Sequence, residues 1–285
     1  MRLKHDWLGE VVLPEYAQRI VSLAPSITET LFALGLGGRT VGRSVYCYRP
    51  AEALALPTLS SYTRLRWDLL EQLQPDLILI STGIQRELLN ELLARKLPIF
   101  PVPLVHSPYG ILENILLVGE LTGAGVRASQ LCAELSDRYA KLHQILPPIR
   151  VYLELDLGGP TSVGRGSYIT EALRHLGLDN VLSQHPQSYF APDLALIERL
   201  MPQLVILEPK LPRSRILGET PARPFSEGAN GLYQRQLERA RARMGERGWS
   251  YPLLVNGGDE LTHYGPMFFE YLEALERRIE RMEIG

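Results

Sequence analysis

The sequence predicts an α/β protein of two lobes of like architecture, joined by a helical segment. An internal repeat is the first observation: residues 27–36 return as residues 169–178, with seven of ten positions identical. A second pair, residues 68–80 and 195–207, follows in the same order with a similar offset. The repeat is far longer than the 20–50 residues of a solenoid, so we interpret it as a doubled domain. Two like lobes predict a ligand cleft between them, because ligand sites favour domain interfaces.

The first lobe alternates strand-like and helical runs, which is typical of a parallel sheet. Residues 77–80 are continuously apolar, as a strand buried on both faces requires. Pro75 ends the preceding helix, and Gly35 ends the helix that Ser26 or Thr28 caps. The predicted strands are 19–23, 41–46, 77–80 and 97–102, and the predicted helices are 26–34 and 66–74.

The pattern changes in the middle of the chain, where two helical stretches follow each other between residues 108 and 146. A second stretch of about 22 residues would span about 33 Å and would connect the lobes as one rod. We therefore predict a first lobe over 1–107, a linking helical segment over 108–148 and a second lobe over 149–285.

The second lobe repeats the plan of the first. We predict a strand, a Gly-rich loop, two helices and another strand, then a surface insertion over 209–231 that is rich in Pro, Gly, Arg and Ser. A helix, a late strand and a C-terminal helix complete the lobe. The elements are strands 150–155, 203–207 and 253–255, and helices 168–176, 193–201, 232–246 and 266–282.

The composition is that of a soluble globular protein, with 45% hydrophobic and 22% charged residues. A net charge of −2 does not indicate a nucleic-acid partner. Residues 1–7 lack the apolar stretch of a signal peptide, so we expect either a cytoplasmic protein or a leader that this sequence lacks. Cys47 and Cys132 weakly favour a reducing compartment. We find no nucleophile–base pair, Walker A motif or zinc signature, and we expect no enzyme and no metal site.

Four stretches resemble a known family. They are Asp6-x-Leu8-Gly9 with Pro14, residues 19–29, Leu73-x-Pro75-Asp76-Leu77-Ile78 and Gly42-Arg43-Ser44-x-Tyr46-Cys47. Together they resemble the helical-backbone (class III) periplasmic solute-binding proteins of ABC transporters, and the last resembles the cobalamin-binding branch. This resemblance implies two Rossmann-like lobes joined by a long rigid backbone helix, with little closure on binding.

The resemblance also implies a function. We expect a monomer that holds a corrinoid or a similar metal chelate as its ligand, without a cofactor, and delivers it to an ABC permease outside the cytoplasm. The alternatives are a siderophore or haem binder, or a cytoplasmic protein that buffers, senses or hands over a tetrapyrrole without a permease.

Ligand contacts are expected in the loops beyond the carboxyl ends of the strands. Many side chains there are aromatic, which suits a large planar ligand. Tyr46, Tyr62 and Tyr189 align with aromatic contacts of the cobalamin-binding relative. The predicted ligand-binding residues are Ser26, Tyr46, Cys47, Tyr62, Gly83, Arg165, Tyr168, Tyr189, Phe190, His263 and Tyr264.

Several of these residues have two interpretations. The Gly164-Arg165-Gly166 turn either holds an anion at a helix N-terminus or only satisfies backbone geometry. His263 is either an axial metal ligand or a polar residue of the cleft. Cys47 is either a buried apolar residue or part of the cleft.

Acidic residues suggest two further roles. The resemblance implies one permease-docking carboxylate on each lobe; the first position matches Asp68, and the second falls on Ala195, with Asp193 as the nearest acid. Asp193 is also placed to cap the following helix. The equivalent residues Glu29 and Glu171 are predicted to stabilise helix N-termini as first-turn acids.

Overall fold

The doubling of the sequence corresponds to two units of the computed structural model, which describes residues 2–5, 8–61, 64–83, 86–209 and 230–282. The first unit holds the described residues up to Leu104 together with Ile111–Asp137. The second holds Val105–Gly110 and the described residues from Arg138 onward. Residues 210–229 of the predicted insertion lie outside the described part, so its role stays a prediction.

The first unit contains a five-stranded parallel sheet with the strand order β5–β4–β3–β6–β7. The chain adds β4 and β5 on one side of β3 and then β6 and β7 on the other, so the strand order reverses between β3 and β6. A short hairpin, β1 and β2, precedes this sheet. The elements are β1 Arg2–His5, β2 Gly9–Val12, β3 Ile20–Ser22, α1 Pro25–Ala33, β4 Thr40–Ser44, β5 Thr58–Ser60, α2 Trp67–Leu73, β6 Leu77–Ser81, α3 Arg86–Ala94 and β7 Ile99–Val102.

The second unit contains a six-stranded mixed sheet centred on β8. Strands β10, β12 and β13 run parallel to it, whereas β9 and β11 form an antiparallel extension at its carboxyl end. The order reverses again, between β8 and β12. The elements are β8 Ile149–Asp156, β9 Pro160–Val163, α6 Tyr168–His175, β10 Leu178–Asn180, β11 Tyr189–Phe190, α7 Leu194–Leu200, β12 Leu204–Glu208, α8 Asn230–Glu246, β13 Leu253–Val255 and α9 Met267–Glu280.

The predicted α/β fold is therefore confirmed, although the sequence analysis did not predict the β1–β2 hairpin, helix α3 or strands β5, β9, β10 and β11. The segment predicted as a Gly-rich loop contains β9, which returns beside β8 through a turn at Gly158, whose φ is +107°. A side chain seldom adopts this conformation, so the glycine permits the tight return.

The helical segment consists of two helices, α4 Pro108–Thr122 and α5 Gly125–Ala140. Gly123 separates them, because its φ of +73° ends the first helix. The second helix has 16 residues and a length of about 24 Å, so it is shorter than the predicted rod. Both helices contribute residues to both units; the domain boundaries predicted at residues 107 and 148 stay a prediction.

The repeated sequence folds into repeated local structure. Helices α2 and α7 each have seven residues and end at a left-handed residue before proline, Gln74 (φ 43°) and Met201 (φ 45°). The proline disfavours continuation of the helix through the preceding residue. A five-residue strand with every residue buried follows in both units.

A buried ion-pair network fixes α8 on the second sheet. The Glu154 side chain on β8 is 1% exposed, and its carboxylate accepts hydrogen bonds from Arg243 of α8 (2.9 Å) and from Arg247 (2.7 Å), which follows the end of this helix. The Tyr152 hydroxyl donates a third at 2.8 Å. A buried carboxylate requires such compensation, since it loses its hydration. Across the described residues, no helix is both long and apolar enough to span a bilayer.

The two repeat glycines provide a test of backbone constraint. Gly35 and Gly177 have matching φ values of +78° and +77°, but a Cβ at Gly35 would meet nothing within 4 Å, whereas one at Gly177 would lie 2.3 Å from the Ile145 carbonyl oxygen. We expect Gly35→Ala to lower the free energy of unfolding by about 1–2 kcal/mol through φ alone. Gly177→Ala should cost roughly 3 kcal/mol or more, because backbone must also move. Urea unfolding followed by circular dichroism measures both, and equal losses would contradict the predicted clash.

Candidate ligand-binding site

The carboxyl edge of the first sheet holds three of the predicted residues, Ser26, Tyr46 and Gly83. Ser26 lies at the second position of α1 and is 6% exposed, whereas Tyr46 follows β4 and is half-buried. Gly83 follows β6, and its backbone N–H donates to Ser81 Oγ at 3.3 Å. A Cβ at Gly83 would make only ordinary contacts, so crowding does not require a glycine there. Tyr62 lies outside the described residues, and its ligand contact stays a prediction.

Cys47 belongs to the interior of this unit. Its side chain is fully buried, and Sγ lies 3.1 Å from Ser44 Oγ and 3.8 Å from the Ser22 carbonyl oxygen. Burial raises the pKa of the Cys47 thiol above its ordinary value. These contacts favour the interpretation of Cys47 as a buried residue and argue against the predicted ligand contact.

Buried charges at this edge were missed by the sequence analysis. Glu29 and Arg49 form an ion pair at 3.2 Å, with side chains 1% and 5% exposed. Glu29 is the fifth residue of α1, so the predicted first-turn role is wrong for Glu29, whereas Glu171 lies in the first turn of α6. Arg43, 6% exposed, donates to the Ser44 carbonyl oxygen at 3.1 Å, and burial lowers the pKa of its guanidinium.

The second sheet gathers an aromatic group at its own carboxyl edge. Tyr168 begins α6 and is fully buried; its hydroxyl donates to the Leu261 carbonyl oxygen at 2.6 Å. Its ring centroid lies 5.8 Å from that of Tyr264 and 5.2 Å from that of Phe268. The Tyr168 ring packs edge-on against the half-buried Tyr264, and its own ligand contact stays a prediction.

Tyr189 and Phe190 form β11 beside this group, and both are half-buried. The Tyr189 hydroxyl is hydrogen-bonded to Ser167 and Tyr168, and burial raises its pKa to about 12. The Phe190 ring stacks on His185 with the centroids 3.5 Å apart. The strand therefore presents two aromatic side chains next to the Tyr168–Tyr264 pair.

The Gly164-Arg165-Gly166 turn is explained by backbone geometry. A Cβ at Gly164 would lie 2.4 Å from the Gln187 carbonyl oxygen, and Gly166 has a φ of +83°. Ser167 caps α6 by accepting from the Ile169 N–H at 3.3 Å. The Arg165 side chain is exposed, so anion binding there stays a prediction.

Glu208 organises the loop that carries His263 and Tyr264. It is the last residue of β12 and is 2% exposed. Its carboxylate accepts from the Leu261 N–H (2.8 Å), the Thr262 N–H (3.0 Å) and Asn256 Nδ2 (3.1 Å). His263 is 8% exposed, and within the described ranges it belongs to no group of three side chains spaced to hold a metal ion.

The two predicted docking acids differ in environment. Asp68, in the first turn of α2, has a side chain 69% exposed and lies 3.8 Å from Arg66 Nη2. Asp193 caps α7, as its position suggested: Oδ1 accepts from the N–H groups of Ala195 (3.0 Å) and Leu196 (3.3 Å). Only Asp68 therefore presents a carboxylate that is not already bound to backbone N–H groups at a helix start.

Glu208 predicts a pH dependence of stability. Burial is the main cause that raises the pKa of its carboxyl from 4.5 to about 7. Because the folded-state pKa is raised, the contribution of this group is fully present below pH 4.5 and is lost as the pH rises through about 7. We expect the unfolding free energy of the wild type, relative to Glu208→Gln, to fall by about 2–3 kcal/mol between pH 5 and pH 8. Urea titrations at both pH values measure this difference, and a constant difference would contradict the raised pKa.

Comparison with known proteins shows which family this chain resembles. The profile described as periplasmic binding protein matches residues 20–216. A cobalamin-binding protein of Halobacterium salinarum is 25% identical over 198 residues, which cover 65% of this chain and 52% of that protein. The chain thus spans about half the length of this relative.

Solved structures share the fold over almost the whole chain. A vitamin B12-binding periplasmic protein of Vibrio cholerae superposes with a TM-score of 0.66 at 20% identity, covering 94% of this chain and 100% of the other. A haem-binding periplasmic protein of the same species gives a TM-score of 0.70 at 18% identity, with 92% and 98% covered. The family profile covers more than half of the sequence, and this chain therefore belongs to the periplasmic binding protein family.

Proposed function

We propose that this protein binds a metal chelate, a corrinoid or a related tetrapyrrole, for ABC-type uptake outside the cytoplasm. The observation that carries the proposal is the aromatic group at the carboxyl edge of the second sheet, in a chain of the periplasmic binding protein family. The likeness to cobalamin-binding and haem-binding proteins supports this class of ligand. Binding through the cleft between the lobes remains a prediction from the sequence.

The position of the aromatic group supports ligand binding. In open α/β sheets, ligands bind beyond the carboxyl ends of the strands where the strand order reverses. The order reverses between β8 and β12, and Tyr189, Phe190 and Tyr264 lie in the segments beyond this edge of the sheet. These half-buried rings offer apolar area to a planar ligand, and tyrosine adds a polar tip.

The hydrogen bonds of the site support binding without chemical conversion. The hydroxyl groups of Tyr168 and Tyr189 are engaged in hydrogen bonds, and burial keeps the pKa of Tyr189 at about 12. The Cys47 thiol is also buried with a raised pKa, which disfavours the thiolate that a nucleophile requires. Rigid, satisfied polar groups are suited to holding a ligand in one orientation.

Calorimetric titration with cyanocobalamin, with haemin and a ferric siderophore in parallel, tests the ligand class. We expect one of the three chelates to bind with one-to-one stoichiometry, and cyanocobalamin is the chelate that we expect to bind. Phe190→Ala and Tyr46→Ala should each weaken this binding about tenfold, which corresponds to about 1.4 kcal/mol of lost stacking and apolar contact.

Tyr16→Ala is the matched control. Tyr16 is 58% exposed and lies near the amino edge of the first sheet, where the Gln18 N–H donates to Asp76 just before β6. Removal of the Tyr16 ring should leave the affinity for the chelate unchanged. If folded protein binds none of the three chelates, the proposed function is wrong. If Phe190→Ala and Tyr46→Ala bind the chelate as tightly as Tyr16→Ala and the wild type do, the proposed site is wrong.

Permease docking is proposed for Asp68, and Asp193 provides the comparison. Asp193→Ala should lower the unfolding free energy by about 1 kcal/mol, because two N–H groups of α7 lose their acceptor. Asp68→Ala should change stability by less than about 0.5 kcal/mol, because the side chain is exposed. Transport with the reconstituted permease should fall for Asp68→Ala while chelate binding is retained. Normal transport with Asp68→Ala would contradict the proposal that Asp68 contacts the permease.

A further inference from the structure

Three side chains with metal-binding atoms converge at one end of α9. His143 lies in the segment between α5 and β8, whereas Glu276 and Glu280 are one turn apart on α9. One donor atom from each residue lies within 4.8 Å of the other two. Among the described residues, these form the one such group of three histidine, cysteine or acidic side chains.

The framework around this group is fixed by protein contacts. The Glu276 carboxylate accepts a hydrogen bond from the His143 backbone N–H, and the His143 ring nitrogen Nδ1 lies 3.5 Å from Glu276 Oε1. The Glu276 side chain is 11% exposed, whereas the His143 side chain is 84% exposed. The Glu276 carboxylate is therefore held in place, whereas the exposed His143 imidazole can turn towards it.

A neighbouring ion pair holds α9 against the end of α5. Arg138 donates to both carboxylate oxygens of Glu273, at 2.7 and 2.9 Å. Arg277 Nη1 lies 3.9 Å from Glu273 Oε2, so the Glu273 carboxylate pairs with both arginines. The Glu276–Glu280 face of the helix is consequently held near His143 by contacts that do not involve these three ligands.

We propose that His143, Glu276 and Glu280 form a binding site for a divalent zinc-like cation. One imidazole and two carboxylates suit Zn²⁺, which binds such ligands at about 2.0–2.2 Å. Tetrahedral coordination requires ligand atoms about 3.4 Å apart. Side-chain movements of about 1 Å would bring the three donor atoms from within 4.8 Å of one another to this spacing. Three protein ligands leave a fourth position for water or another small ligand.

The site is independent of the proposed chelate site. It joins α9 to the segment between α5 and β8, whereas the aromatic group lies at the carboxyl edge of the second sheet. Bound metal would therefore stabilise the folded second unit by mass action, since the unfolded chain does not hold the three ligands together.

Calorimetric titration of the untagged, chelator-treated full chain with Zn²⁺ tests the proposal. We expect one site, weakened at least tenfold by His143→Gln and by Glu280→Gln. Both side chains are exposed, and His143→Gln retains the backbone N–H that donates to Glu276. His106→Gln is the matched control, because His106 is exposed but belongs to no such group in the described part of the chain.

Thermal unfolding provides a second measurement. Excess Zn²⁺ should raise the unfolding midpoint of the wild type and of His106→Gln by a few degrees, and this shift should disappear in His143→Gln and Glu280→Gln. Absence of Zn²⁺ binding by the wild type would overturn the proposal. Equal binding by the wild type and His143→Gln would also overturn it, since the metal would then lie elsewhere.

Discussion

The rest of the structure depends on the burial of two central strand pairs, β3 with β6 and β8 with β12. Strand β6 (LILIS) and strand β12 (LVILE) are buried along their whole lengths. Parallel strands covered on both faces leave little room for polar side chains within the sheet. Polar and charged groups are therefore concentrated at the strand ends, and the carboxyl edges of both sheets hold most of the predicted ligand-binding residues.

Buried carboxylates near these strands are stabilised in two ways. Glu29 pairs with Arg49, and Glu154 is compensated by Arg243 and Arg247 together with the Tyr152 hydroxyl. Glu208 instead accepts from neutral N–H donors of the loop that follows β13. Neutral donors stabilise a carboxylate less than guanidinium groups do, so burial dominates at Glu208 and its pKa rises to about 7. The charge change of Glu208 therefore falls near neutral pH, and its carboxylate holds the loop that carries His263 and Tyr264.

The sequence predicted what depends on local periodicity and repetition. Both copies of the repeat, the strand–helix alternation and the Asp193 cap follow from residues close together in the chain. The burial of Tyr168 could not be read in this way, because it depends on partners in other elements, such as Leu261. For Cys47, burial was one of the two interpretations that the sequence left open. The His143–Glu276 contact joins residues 133 positions apart, so no sequence spacing indicates this cluster. Glu208 could have been noticed, since it is an acid that ends an apolar strand.

The repeat also shows how equivalent frameworks come to differ chemically. Helices α2 and α7 have the same length and the same left-handed ending, yet Asp68 faces solvent in the first while Ala195 takes its place in the second. Asp193 lies two residues earlier, where its carboxylate caps α7. An acid that docks to a partner's cation while it caps a helix must share its oxygens between two sets of donors. If the permease contacts both units, its contact with the second unit must therefore either engage the remaining lone pairs of Asp193 or use a different residue.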